Sequence, residues 1–109
     1  MLLTVLDSAG VSQKVITRAQ ESALDHSGII VATAVAQQVL AANTLRSGFI
    51  IQNRGSNPMY VNDLGVATVG AGSFAIAPGN FFPPDNYPLK TGAISILGTI
   101  NDIFVVREW

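Results

Sequence analysis

Asp25, His26 and Ser27 place a carboxylate, the only histidine and a hydroxyl side by side, the three side-chain types of a hydrolytic triad. Triad members meet through the fold, however, and neighbouring side chains on an extended chain point to opposite sides. The adjacency therefore reads as a solvated loop. Asp63, Asp85 and Asp102 offer a second route to acid–base chemistry if the fold brings them together. Each stands beside Gly, Asn or Pro, where aspartate is expected for the bond its side chain makes to a turn backbone.

Gly70-Ala71-Gly72-Ser73-Phe74-Ala75 satisfies the dinucleotide pattern G-x-G-x-x-G/A, which works by presenting pyrophosphate to the amino end of a following helix. Pro78 and Gly79 would break that helix, and Lys90 stands near the place where the ribose-binding acid belongs. A metal site would have to be built from one histidine and scattered aspartates without cysteine, and no ligand spacing, EF-hand included, is present. No cofactor, no metal and no enzymatic activity are expected.

The aromatic residues suggest contact surfaces. Phe49, Phe74 and Phe104 alternate within strand-like runs and are expected in the core. Phe81, Phe82 and Tyr87 lie among Pro83, Pro84 and Pro88 and are candidates for an interface, because aromatic side chains bury large area at small entropy cost. Tyr87 and Trp109 are candidates for stacking on a sugar. Arg46 and Arg54 flank Ser47 to Asn53, either bracing turns or forming intersubunit salt bridges.

The elements that position these residues are strands. Val, Ile and Thr supply 28 of 109 residues, in short runs separated by Gly, Asn, Asp and Pro. Leu2 to Leu6 and Val11 to Thr17 flank Asp7-Ser8-Ala9-Gly10 and read as a hairpin arm. Arg18 to Gly28 reads as a short helical turn or a loop, and Ile29 to Ala42 as one or two strands. Ser47 to Asn53 and Pro58 to Asn62 enclose Arg54-Gly55-Ser56-Asn57 and read as the clearest hairpin. Phe74 and Ile76 share a face, Phe81 to Leu89 is an extended loop or sheet edge, and Ala93 to Gly98 and Ile103 to Trp109 are the closing strands. The fold class is all-β: a small antiparallel, jelly-roll-like β-sandwich over 29–109, preceded by a hairpin arm and polar connection over 1–28.

Hydrophobic residues make up 49% and charged residues 12%, about half the usual charged share of roughly 25%. Ile103, Val105 and Trp109 oppose Phe104 and Val106, so the last strand is apolar on both faces. One face of a sandwich strand meets the core; the other is expected to meet a neighbouring copy. The longest apolar stretch, near Ile29 to Ala36, falls short of the roughly 20 residues of a spanning helix. No basic residue precedes Leu2 to Leu6, so neither a membrane anchor nor a secretory signal is expected. With net charge −1 and six scattered Lys and Arg, nucleic acid is not an expected partner.

From about Val39 onward, Leu40-Ala41-Ala42-Asn43, Arg46, Phe49-Ile50-Ile51-Gln52-Asn53, Met59-Tyr60-Val61, Ala77-Pro78-Gly79, Gly92-Ala93-Ile94-Ser95 and Arg107-Glu108-Trp109 follow one another. This succession resembles small virion structural proteins of tailed bacteriophages, as does the opening Leu3-Thr4-Val5 through Asp7 and Gly10 to Val11-Ser12-Gln13. The resemblance implies a capsid decoration (cement) protein or a tail or fibre component, commonly an oligomeric β-sandwich. In the first case the partners are the major capsid protein and further copies, as a dimer or trimer, on the capsid surface of a virion assembled in the host cytoplasm. Contacts are then expected through Leu2, Leu3, Val5, Phe81, Phe82, Tyr87, Trp109, Arg46 and Arg54. In the second case, a tail-fibre or baseplate component binds a host-surface glycan.

Overall fold

The computed structural model describes residues 23–109. The arm hairpin over 2–17, with Leu2, Leu3 and Val5, lies outside the described residues. Nine strands follow in chain order: β1 (Leu24–Asp25), β2 (Gly28–Ile29), β3 (Gln37–Leu40), β4 (Phe49–Asn53), β5 (Met59–Asn62), β6 (Phe74–Ile76), β7 (Phe81–Phe82), β8 (Ile94–Leu97) and β9 (Ile103–Glu108). There is no helix among the described residues, as the all-β reading expects.

One sheet has the order β1-β9-β4-β7 with β2 also on β9; the other has the order β3-β8-β5-β6. The pairings are nested. β2 pairs β9, β3 pairs β8, β4 pairs β7 and β5 pairs β6, all antiparallel, so the described chain is one long hairpin rolled onto itself. β1 and β2 behave as one interrupted strand: between and beyond them His26 N–H donates to Val106 C=O and Ile30 N–H to Asp102 C=O. Counted so, the eight strands form a jelly roll, a two-sheet sandwich that leaves only short edges.

Period-2 alternation builds the core. Phe49 and Ile51 of β4, Met59 and Val61 of β5, Ile94 and Ile96 of β8, and Phe104 and Val106 of β9 are all buried. Ile30 and Leu40 close the interior.

The segments around β4 and β5 are not a hairpin. β4 belongs to the first sheet and β5 to the second, so Arg54 to Asn57 is an arch that crosses the sandwich. Asn53, fully buried, pins it: its Nδ2 donates to Asn57 C=O and Ile76 C=O, each at 2.8 Å, and its Oδ1 accepts Gly55 N–H at 2.8 Å. A Cβ on Gly55 would stand 2.5 Å from Asp102 Cβ, and Asp102 accepts Asn57 N–H at 3.1 Å. Gly55→Ala is therefore expected to lower stability by about 1–3 kcal/mol through overpacking, read as a lower urea midpoint. An unchanged midpoint would mean that the arch yields freely.

Two other expectations change. Ile29 to Ala42 contains two strands, but the alternating Val31 and Val35 lie in the loop between them, 65% and 57% exposed. There Ala34 adopts φ 61°, and Gln37 bonds Val31 N–H and Ile29 C=O, which closes a turn where alternation suggests a strand. Of 18–28 only 23–28 is described, and there β1 and the start of β2 pair with β9; the rest of the stretch read as a helical turn or a loop lies outside the described residues. Phe81–Phe82 is a sheet edge, as expected from its prolines.

Candidate functional site

The outer face of the first sheet follows from the register. Because Ile51 and Phe82 point inward as a pair, their neighbours Gln52 and Phe81 pair on the outside, as do Gln52 and Val105. Ile29 lies opposite Ile103, and Ile50 opposite Arg107. Ile29, Ile103 and Phe81 are 46%, 52% and 56% exposed, and Ile50 and Val105 are half-buried. Outward apolar side chains thus stand on β2, β9, β4 and β7, interspersed with Gln52, Arg107 and Asp25. At one end Arg107 Nε lies 3.5 Å from Asp25 Oδ1, an exposed pair of little energetic weight.

Beneath the end of that face lies a buried ionic centre. Arg46, 2% exposed, donates from Nε to Glu108 Oε1 at 2.8 Å, from Nη1 to Lys90 C=O at 2.7 Å and Gly92 C=O at 3.1 Å, and from Nη2 to Ala41 C=O at 2.7 Å. Asn43 Nδ2 also donates to Glu108 Oε1, and His26 Nε2 donates to Oε2 at 2.8 Å. Burial pushes the Glu108 carboxyl up, but the bonds from Arg46, Asn43 and His26 together with the Arg46 charge outweigh it and hold Glu108 below its ordinary range. The Arg46 guanidinium is consumed inside its own protomer, so it is a brace for the 41–46 and 90–92 loops and not a surface group for an intersubunit salt bridge.

This centre also resolves Asp25-His26-Ser27. Ser27 Oγ donates to Asp25 Oδ1 at 2.5 Å and accepts Val106 N–H at 3.0 Å, while His26 turns to Glu108. The histidine is a partly exposed hydrogen-bond partner of Glu108 and not a freely solvated loop residue. Bonds from the Ser27 hydroxyl and amide hold Asp25 below the usual carboxylate range. Asp63, Asp85 and Asp102 are not brought together: Asp63 is buried, Asp85 exposed, and Asp102 bonded to Asn57. No group of three His, Cys, Asp or Glu placed to hold a metal ion occurs among the described residues.

The aromatic residues form a cap on one end of the sandwich. Phe82 is 3% exposed and is core, not interface; its ring centroid lies 5.1 Å from Phe74 and 5.2 Å from Tyr87. Phe74 faces inward by register with Val61 but sits at the rim, 47% exposed, and so leaves the core set. Tyr87 packs edge-on against both rings and donates its hydroxyl to Asp63. Burial, then the Asp63 bond and charge, push the Tyr87 phenol up to about 12 from 10.0. The native chain therefore keeps this proton after the unfolded chain has lost it. The associated stability is complete below pH 10 and is lost as pH rises toward 12. Tyr87→Phe should flatten the alkaline limb of a stability-versus-pH curve, and an unaltered limb would contradict this role.

Trp109 covers Gly48, where a Cβ would meet its ring at 2.7 Å, and its backbone pairs with Gly48 and Ser47. Tyr87 and Trp109 are thus both engaged within the chain. Arg54 is exposed, and its N–H donates to Ile103 C=O.

A cleft of about 760 Å³ lies over the outer face of the second sheet, lined among others by Gln38, Asp63, Leu64, Val66, Leu89 and Ser95. Ser95 Oγ accepts Ala67 N–H at 2.7 Å and donates to Gly65 C=O at 3.0 Å, fixing the loop that walls it. Sequence reading misses the cleft because Leu64 and Val66 lie in a glycine-rich loop outside any strand pattern. Among the described residues no helix is long and apolar enough to cross a membrane. Comparison with known proteins finds no matching family model, no matching curated protein and no matching solved structure.

Proposed function

We propose that this chain is a structural protein of a tailed-phage virion, a non-enzymatic decoration protein that holds major capsid subunits together through contacts with them and with its own copies. The observation that carries the reading is the outer face of the first sheet, where Ile29, Ile50, Phe81, Ile103 and Val105 outnumber Asp25, Gln52 and Arg107 although a solvated sheet face is ordinarily polar. The sequence resemblance supplies the setting, and the jelly roll accommodates it without deciding it.

Magnitudes favour a composite interface. Four strands about 4.8 Å apart and about 20 Å long present a face of roughly 400 Å² in projection, against about 800 Å² per partner in a stable interface. The remainder falls to the residues before Leu24, of which Leu2, Leu3 and Val5 are the apolar candidates. The hydroxyl of Tyr87 is already committed to Asp63, so the aromatic cap does not favour glycan binding. Quantitative protein analysis of separated heads and tails tests the reading. Many copies per head are expected; presence in tails alone, at low copy, would overturn the location.

A further inference from the structure

We propose that two copies of this chain pack the outer faces of their first sheets about a twofold axis through Val105, so that Asp25 of each copy pairs with Arg54 of the other. This rests on the self-association proposed above and supplies its geometry and copy number. Arg54 continues the outward alternation of Ile50 and Gln52 one residue beyond β4, and its N–H on Ile103 C=O sets it opposite that residue. It is exposed, and no carboxylate lies within 4 Å of its guanidinium among the described residues. Asp25 is the matching acid. The Ser27 amide at 3.2 Å, the Ser27 hydroxyl at 2.5 Å and Arg107 Nε at 3.5 Å all meet its Oδ1, which fixes the carboxylate and leaves Oδ2 for a second cation.

Register places the two charges symmetrically about the middle of the face. Asp25 lies opposite Arg107, two residues from Val105 along β9 and one strand to one side; Arg54 lies opposite Ile103, two residues the other way and one strand to the other side. With strands about 4.8 Å apart and a rise of about 3.4 Å per residue, each stands about 8 Å from Val105. A twofold axis in the plane of the face, perpendicular at Val105 to the line joining them, therefore exchanges the two positions. The same rotation sets Val105 on its counterpart, Ile50 close to Phe81 and Arg107 close to Gln52, so the outward apolar groups of β4 and β7 meet each other. In such an isologous contact each pair occurs twice, and the assembly closes at two copies.

Sedimentation equilibrium of full-length variants, with unfolding midpoints measured alongside, tests the pairing. Arg54→Glu and Asp25→Arg each set like charges against one another twice and are expected to weaken self-association by at least about 30-fold. Arg54→Gln removes the charge without reversing it and should weaken association by about tenfold or less. Mixed in equal amounts, the Arg54→Glu and Asp25→Arg chains restore both pairs and should associate within about threefold of the unaltered protein, as a dimer holding one of each. Full association by the Arg54→Glu chain alone, no recovery on mixing, or a discrete trimer of the unaltered chain would overturn the twofold pairing but not the face as an interface. A monomeric unaltered chain would overturn the self-association on which the pairing rests.

Discussion

Replacing Arg46 with alanine is expected to cost about 3–5 kcal/mol, the usual penalty for removing one partner of a buried ion pair. For a domain whose whole stability is about 5–15 kcal/mol, that brings the native state near its limit. The loss has two sources. Glu108, 5% exposed, would keep only Asn43 and His26, and the carbonyls of Ala41, Lys90 and Gly92 would lose their donor. Arg46→Lys should recover little, because one ammonium cannot reproduce a fork that serves a carboxylate and three carbonyls. The pH dependence separates this from a generic packing defect. In the native protein Glu108 is held below its ordinary 4.5, so its stabilisation is complete above that value and is lost as pH falls through the depressed one. Without Arg46 the carboxyl loses its hydrogen bond from and attraction to the guanidinium and rises, so the variant's deficit relative to wild type should shrink on acidification. A deficit constant from pH 7 to 4, measured by urea unfolding, would contradict the assignment.

Placing charge on the outer face of the first sheet should leave the fold intact and abolish association. Ile103 and Phe81 are about half exposed, so Ile103→Lys and Phe81→Lys are each expected to change protomer stability by no more than about 0.5 kcal/mol. In an interface the same changes strand a charge against apolar surface, and the double variant should weaken self-association by about 100-fold or more. Arg107→Ala and Asp25→Ala, which remove only the exposed ion pair at the edge, should have effects of tenfold or less. Equal association by the double variant and the unaltered chain, compared by sedimentation equilibrium, would mean that copies meet through another surface.

The sequence made the strands legible and left their partners hidden. Alternation placed Phe49, Phe104 and Val106 inward and Ile103 and Val105 outward, because side-chain direction along a strand is local. Which sheet a strand joins is not local. Arg54-Gly55-Ser56-Asn57 contains turn residues that serve a hairpin or an arch equally well, and the arch is decided by Asn53 reaching Ile76 C=O and by Asp102 lying against Gly55. The alternation across Val31 and Val35 misleads for the same reason, since Gln37 turns the chain there through side-chain bonds. Phe74 has the correct facing but the wrong depth; a face can be read from spacing, whereas distance from the sandwich end cannot. Arg46 carried no local sign of burial, because the carboxylate that holds it lies 62 residues away.

The most direct test of the account is the solution mass of the unaltered full-length chain, determined by light scattering across a wide concentration range. The apolar outer face of β9 and its neighbours predicts a discrete dimer or trimer. A well-behaved monomer at the highest attainable concentration would contradict the claim that this face is an interface between copies, and with it the assembly role built upon that face.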